Sequence, residues 1–169
     1  GARVDGKQSE NLSKLSATND FSSPDGLYFD QRTQGGAGLL WIQTDDGAYT
    51  EVTNCMMLAA IPGEVGDGKT VTTKEGQQTI MGAHATGENI RRFLVGPYDC
   101  EITGVTPDGK TLFFNVQHPG EADANFATNE FTSHWPGNQP GITSQHKDHK
   151  RPRSATVVVT RKDGGVIAL

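Results

Sequence analysis

Two acidic residues stand where an unpaired charge is costly. Glu101 sits between Cys100 and Ile102 in an otherwise apolar run, an unusual place for a lone carboxylate. Asp25, in Ser23-Pro24-Asp25-Gly26, opens a second apolar run. If both runs are inner strands facing one channel, the two carboxylates converge. Converging carboxylates repel one another unless they are protonated or bridged by cations, and hard oxygen donors suit Ca²⁺ or Mg²⁺. The plainer alternative makes Asp25 a turn aspartate and Glu101 an exposed strand residue.

Further candidates lie close by. Gln117-His118-Pro119-Gly120-Glu121 ends a strand with an imidazole, a turn proline and a carboxylate. His118 and Glu121 could ligate a metal or act as acid and base, and a polar turn explains them equally well. The four histidines at 118, 134, 146 and 149 are spaced 16, 12 and 3 residues apart, which matches no standard zinc site. Basic residues cluster at Arg91-Arg92 and at Arg151 and Arg153. A guanidinium beside a carboxylate-held cation would suit a phosphate oxyanion, although paired strand arginines are also common on a solvated face. Cys55 and Cys100 have no CxxC spacing. They could form a disulfide, remain buried thiols or offer a thiolate ligand. No nucleophile elbow, Walker loop or Rossmann glycine pattern is present, so serine-esterase and nucleotide-binding readings have no support.

The elements that must position these groups read as strands. Runs of Val, Ile, Phe, Tyr and Thr bounded by turn residues predict strands at Gly26–Phe29, Leu39–Thr44, Met56–Ile61, Ile90–Val95, Glu101–Thr106, Leu112–Gln117, Ala155–Arg161 and Gly165–Leu169. Thr106–Thr111 (TPDGKT) and Arg161–Val166 (RKDGGV) are hairpin signals. No window keeps helical apolar spacing for three turns. Residues 1–21 are expected to be a polar linker or loop. Long loops are expected at 62–88, with room for one extra hairpin, and at 119–153, the latter either functional or disordered.

An internal repeat groups the strands. Ser23–Asp45 resembles Asp99–Gln117: an acid opens an apolar strand, a turn or loop follows, and an aromatic strand ends in Gln43 or Gln117. Two more strands after each pair give two four-stranded units, at a repeat of roughly 72–76 residues. The expected fold class is therefore all-β, with antiparallel four-stranded, blade-like sheets forming part of a β-propeller over residues 22–169. A β-sandwich is the alternative.

Composition sets outer limits. Twenty-one glycines in 169 residues, about 12%, exceed the usual ~7% and fit a turn-rich chain. A net charge of −5 argues against nonspecific binding to nucleic acid or anionic membrane. No apolar run is long enough to span a bilayer as a helix. The chain begins without Met or an apolar leader and stops at Val166-Ile167-Ala168-Leu169. Two blades cannot close a propeller, so a fragment of a longer protein is expected, one that associates through open sheet edges.

Six motifs occur in a telling order: SPDGLYFD, LLWIQTDDG, NCMMLA, GENIRRFLVGPYDCEITGVTPDGKTLFFNVQHPGE, SHWPG and RPRSATVVVTRKDGGVIAL. Together they resemble the C-terminal part of PhoX-type alkaline phosphatases, from Ser23 to Leu169. The resemblance implies a β-propeller that hydrolyses phosphomonoesters with Ca²⁺ and iron ions in its channel. It also implies export by the twin-arginine route, hence a periplasmic or extracellular location. Glu101 becomes an implied metal ligand and Asp25 a second, with Arg92 and Arg153 the candidates for phosphate. Phosphorylated small molecules are the implied substrates. The region between the NCMMLA and RRFLVG motifs is longer than the family's short turn, and an isolated two-blade fragment is expected to be inactive. Two other readings share the scaffold: a non-catalytic binding module, and a Ca²⁺-dependent, lactonase-like hydrolase.

Overall fold

The structure, a computed structural model, describes residues 15–31, 38–45, 52–64, 66–72, 74–83, 85–122, 124–140 and 151–168, with the backbone of two short strands near the start. In chain order the strands are β1 Arg3–Val4, β2 Lys7–Gln8, β3 Pro24–Asp30, β4 Leu39–Thr44, β5 Met56–Ala60, β6 Thr70–Thr72, β7 Gln78–Ile80, β8 Ile90–Val95, β9 Glu101–Asp108, β10 Thr111–Gln117 and β11 Ala155–Thr160. Every pairing is antiparallel. The all-β class and a four-stranded, blade-like sheet are thus as the sequence implies. No helix among the described residues is long and apolar enough to cross a membrane.

The first sheet runs β3-β4-β5-β8 and the second β11-β10-β9. Apolar residues from both sheets meet in one core. Leu39, Trp41 and Met57 come from the first, and Ile102, Val105, Leu112, Phe114 and Val116 from the second. Trp41 is fully buried and meets Phe93 edge-on, with ring centroids 5.0 Å apart. Such side chains stabilise the fold by about 1.5–3 kcal/mol each when fully buried. The opposite face of the first sheet carries a second cluster of Ile42, Met56, Leu58, Ala60 and Ile90. Burial on both faces explains why β4 and β5 read as continuous apolar runs. By contrast, β11 alternates half-buried and exposed residues along its length, as a strand covered on one face should.

Leu15 and Phe21 cover that second cluster. Within the linker or loop expected at 1–21, residues 15–21 form a loop that packs onto the sheet. Residues 15–21 form no strand, yet Asn19 and Asp20 are buried and the Asn19 amide donates to the carbonyl of Ile90 at 3.3 Å.

The β9–β10 hairpin closes on Gly109-Lys110, with Gly109 at φ 56°, the positive φ that tight two-residue turns need. A bulge sets Gly104 and Val105 against Phe114. Gly104 has φ 63°, and a Cβ there would strike the Asn115 amide, so glycine is the residue that fits. The extra hairpin allowed for in the 62–88 loop is β6–β7, exposed throughout.

One expectation needs correction. Gly165–Leu169 is not a strand over its described residues, so the second sheet has three strands there and not four. The hairpin signal does form a turn, with Gly164 N–H donating to the Arg161 carbonyl at 3.0 Å. However, the Arg161 guanidinium ties Asp163 at 2.6 Å and the Val166 carbonyl at 3.3 Å. That occupies the acceptor a returning strand would use, and Ile167 turns into the core instead. In the 119–153 loop the described residues up to 140 are turn-rich, with Asn125 bridging Glu130. Residues 141–150, with His146 and His149, lie outside the described residues.

Candidate functional site

The site is built at the open end of the β9–β10 hairpin. Glu101 begins β9 and pairs with Gln117, the last residue of β10. Beyond that pair the two chains stay laced together. Gly120 N–H donates to the Tyr98 and Asp99 carbonyls at 3.0 and 2.9 Å, and Ala122 N–H donates to the Asp99 carboxylate. Three residues here have positive φ: Asp99 at 54°, His118 at 33° and Gly120 at 74°. For Asp99 and His118 this left-handed conformation is a local cost, of the kind that gathers at functional sites.

Glu101 is only 9% exposed. Burial pushes its carboxyl above the ordinary glutamate range, and the nearby charges of Asp45 and then Asp25 push it further, while His118 acts in the opposite direction. The acids expected at the starts of two strands do therefore converge enough to feel one another. Asp25 is exposed and occupies a register shift between Pro24 and Gly26. It belongs to β3 as a bulge residue, a device that re-aims a side chain.

Sequence reasoning missed Asp45. The signal was available in hairpin arithmetic: pairing Pro24 with Thr44 brings the next residue, Asp45, beside the start of β3. Its backbone N–H donates to the Ser23 carbonyl at 3.2 Å. Gln43, in the same strand, is buried, and a Cβ on Gly26 would meet its Oε1 at 2.6 Å. Among the described residues its Nε2 has no hydrogen-bond partner, nor does Trp41 Nε1.

His118 and Glu121 do join Glu101. His118 Nε2 lies 3.5 Å from Glu101 Oε2, and Nδ1 lies 2.9 Å from Glu121 Oε2. The second contact is electrostatic and not a directed hydrogen bond, since among the described residues Nδ1 is buried without a partner at hydrogen-bonding angles. Ser154 Oγ accepts the His118 backbone N–H at 3.0 Å.

The arginines divide differently. Arg92 faces away from the acids, toward the second cluster. It donates to the carbonyls of Ala17 and Asp20 at 3.2 Å each, and its Nε contacts Met56 Sδ at 3.2 Å. Arg153 is exposed, adjoins Ser154, and donates its backbone N–H to the Trp135 carbonyl at 3.0 Å. Arg151 stacks over Phe126 at 5.9 Å. Cys55 and Cys100 are both buried and are not joined in a disulfide. Burial, with smaller contributions from Cys55 and Asp99, pushes the Cys100 thiol up to about 12. With no metal bound, this keeps it a protonated thiol at neutral pH.

The donor chemistry fits a hard cation in part. Glu101, Asp25 and Asp45 supply oxygen donors whose mutual repulsion a cation would relieve. Among the described residues, however, no three His, Cys, Asp or Glu side chains group closely enough to hold one ion by themselves.

Comparison with known proteins decides the family. The family model for alkaline phosphatase PhoX matches residues 2–120. This chain belongs to the PhoX alkaline phosphatase family. Among solved structures, Pseudomonas fluorescens PhoX in complex with vanadate, a transition state analogue, is similar at 36% identity and a TM-score of 0.54. That match covers 88% of this chain and 19% of the PhoX chain, so this chain spans about a fifth of its length. No curated protein matches. The family match stops at Gly120, before the SHWPG and RPRSATVVV motifs, whereas the structural match takes in most of the chain.

Proposed function

We propose that this chain forms two blade-like units of a larger, metal-dependent phosphatase that hydrolyses phosphate monoesters. The observation that carries the reading is Glu101: a buried carboxylate at a strand start, with its pKa raised by burial and by Asp45 and Asp25, in a chain of the PhoX family. Glu101 and Asp25 would hold Ca²⁺, with Asp45 as a further oxygen donor. When bound, such cations neutralise phosphoryl oxygens and activate the attacking oxygen. The chain's own residues act around them. Glu101 presents its carboxylate from the end of a fixed hairpin. Arg153 is better placed than Arg92 to meet a phosphoryl oxygen, because the Arg92 guanidinium is already bound to backbone carbonyls.

The protein would work in the periplasm or outside the cell, on phosphorylated small molecules, with the remaining ligands, iron sites included, supplied by other parts of the full protein. The isolated chain would be inactive. β8 and β11, edge strands of their sheets, would make it self-associate, and light scattering at micromolar concentration reads that directly.

The deciding assay is p-nitrophenyl phosphate hydrolysis by the full-length protein carrying this sequence, with and without a calcium chelator. Activity should be lost with the chelator, and Glu101→Gln should lower kcat by at least about a hundredfold, as removal of a key electrostatic group does. Full activity in Glu101→Gln would sink the assignment of Glu101.

A further inference from the structure

A histidine beside a carboxylate is commonly read as a ligand or as an acid and base. The geometry of His118 points elsewhere. In a regular strand successive side chains alternate between faces. Glu101 and Gln117 are directly paired and share a face, so a continued β10 would send His118 to the opposite one. Its φ of 33° breaks the alternation. The ring can then reach Glu101, with Nε2 at 3.5 Å from Oε2.

The other nitrogen also has a carboxylate beside it, Nδ1 lying 2.9 Å from Glu121 Oε2 in a charge contact without a directed hydrogen bond. A ring nitrogen that ligates a cation must present its lone pair to it. Here each nitrogen lies close to a carboxylate oxygen of the chain itself, Nε2 to Glu101 and Nδ1 to Glu121. The residue is held from three directions: Glu101 at the head of β9, Glu121 in the following turn, and Ser154 just before β11, whose Oγ accepts the backbone N–H at 3.0 Å. Exposed ion pairs are worth little for stability, and Glu121 is 66% exposed at its side chain. A left-handed histidine is therefore a poor device for stabilising the fold.

We propose that His118 is a positioning residue: a bridge from Glu121 to Glu101 that fixes the orientation in which Glu101 offers its carboxylate to a divalent cation. The proposal rests on the reading of Glu101 as a Ca²⁺ donor in a phosphatase. Partners that orient a ligand are held in place by such second contacts, and their loss typically lowers metal affinity or activity by roughly 10–100-fold.

The test uses the full-length protein as wild type, His118→Ala, His118→Gln and Glu121→Gln. Ca²⁺ binding is measured by calorimetric titration with the metal alone, and kcat and KM are measured separately with p-nitrophenyl phosphate. His118→Ala should weaken Ca²⁺ binding by roughly tenfold or more and lower kcat with KM near wild type. His118→Gln, whose amide N–H can reach the Glu101 oxygen, should recover most of both. Glu121→Gln should fall between. Wild-type Ca²⁺ affinity in His118→Ala overturns the proposal. So does a His118→Gln protein as impaired as the alanine variant, because a role in folding alone would not be rescued by an amide. A wild type that binds no Ca²⁺ also overturns it. If wild type fails to hydrolyse the ester while His118→Ala still loses Ca²⁺ affinity and glutamine restores it, the phosphatase reading fails and the positioning role stands.

Discussion

The two ends of the first sheet treat charge in opposite ways. On its outer face the Arg92 guanidinium meets neutral partners, the carbonyls of Ala17 and Asp20. Donors and acceptors match, and the 15–21 segment is fastened over a cluster of apolar side chains. At the corner shared with the second sheet, Glu101 sits beside Asp45 and Asp25, next to residues with left-handed backbone. One region lowers the free energy of the fold. The other raises it and is kept. A concentration of like charge and strained backbone is of the kind that gathers at functional sites.

That contrast can be broken from either side. Removing the outer clamp should show the larger effect on stability. Arg92→Ala takes away two hydrogen bonds to carbonyls and a sulfur contact, so it should cost about 1–3 kcal/mol in urea unfolding. An unchanged midpoint would mean that the 15–21 segment is held by apolar contacts alone.

Glu101→Gln should move stability the other way, by a smaller amount. The folded-state pKa of Glu101 is raised, so its contribution to stability is fully present below the unfolded pKa and is lost as pH rises through the folded one. At neutral pH, without divalent cations, the ionised carboxylate burdens the fold. Glutamine removes that burden, so the variant should melt at a higher temperature than wild type near pH 7. The difference should shrink as pH falls below the ordinary glutamate range. A variant that melts lower than wild type at pH 7 would show that Glu101 is already compensated within the protein. The gain in stability should come together with the loss of phosphatase activity.

Much of this was legible in sequence, for reasons that can be named. The strands at Leu39–Thr44 and Ile90–Val95 have the bounds that β-branched and aromatic residues imply. Glu101 stood out because a charge in an apolar run needs an explanation, and its burial supplies one. Asp45 did not, because an acid in an Asp-Asp-Gly turn signal looks ordinary until strand pairing places it beside Ser23. Arg92 was misleading for the converse reason. Guanidinium chemistry suits phosphate, but it suits backbone carbonyls as well, and only tertiary packing distinguishes the two. Residues 15–21 looked like linker because their polar groups are satisfied by distant backbone, as Asn19 is by Ile90. The missing last strand reflects competition: Arg161 binds its own turn more readily than Val166 finds a partner strand.

The bulge at Gly104 has a consequence for how tolerant this site is of change. A strand is read in steps of two, and a slip of one residue exchanges its faces. By letting Gly104 and Val105 share the place opposite Phe114, the bulge absorbs one residue. Ile102 and Val105 can then both face the core, although three positions separate them. With the bulge flattened into regular pairing, everything upstream would turn over. Glu101 would point where Ile102 now lies, and the isoleucine would take the carboxylate's place. Gly104 thus acts like a frame marker in a message, and the acid at the head of β9 is the letter it keeps in phase.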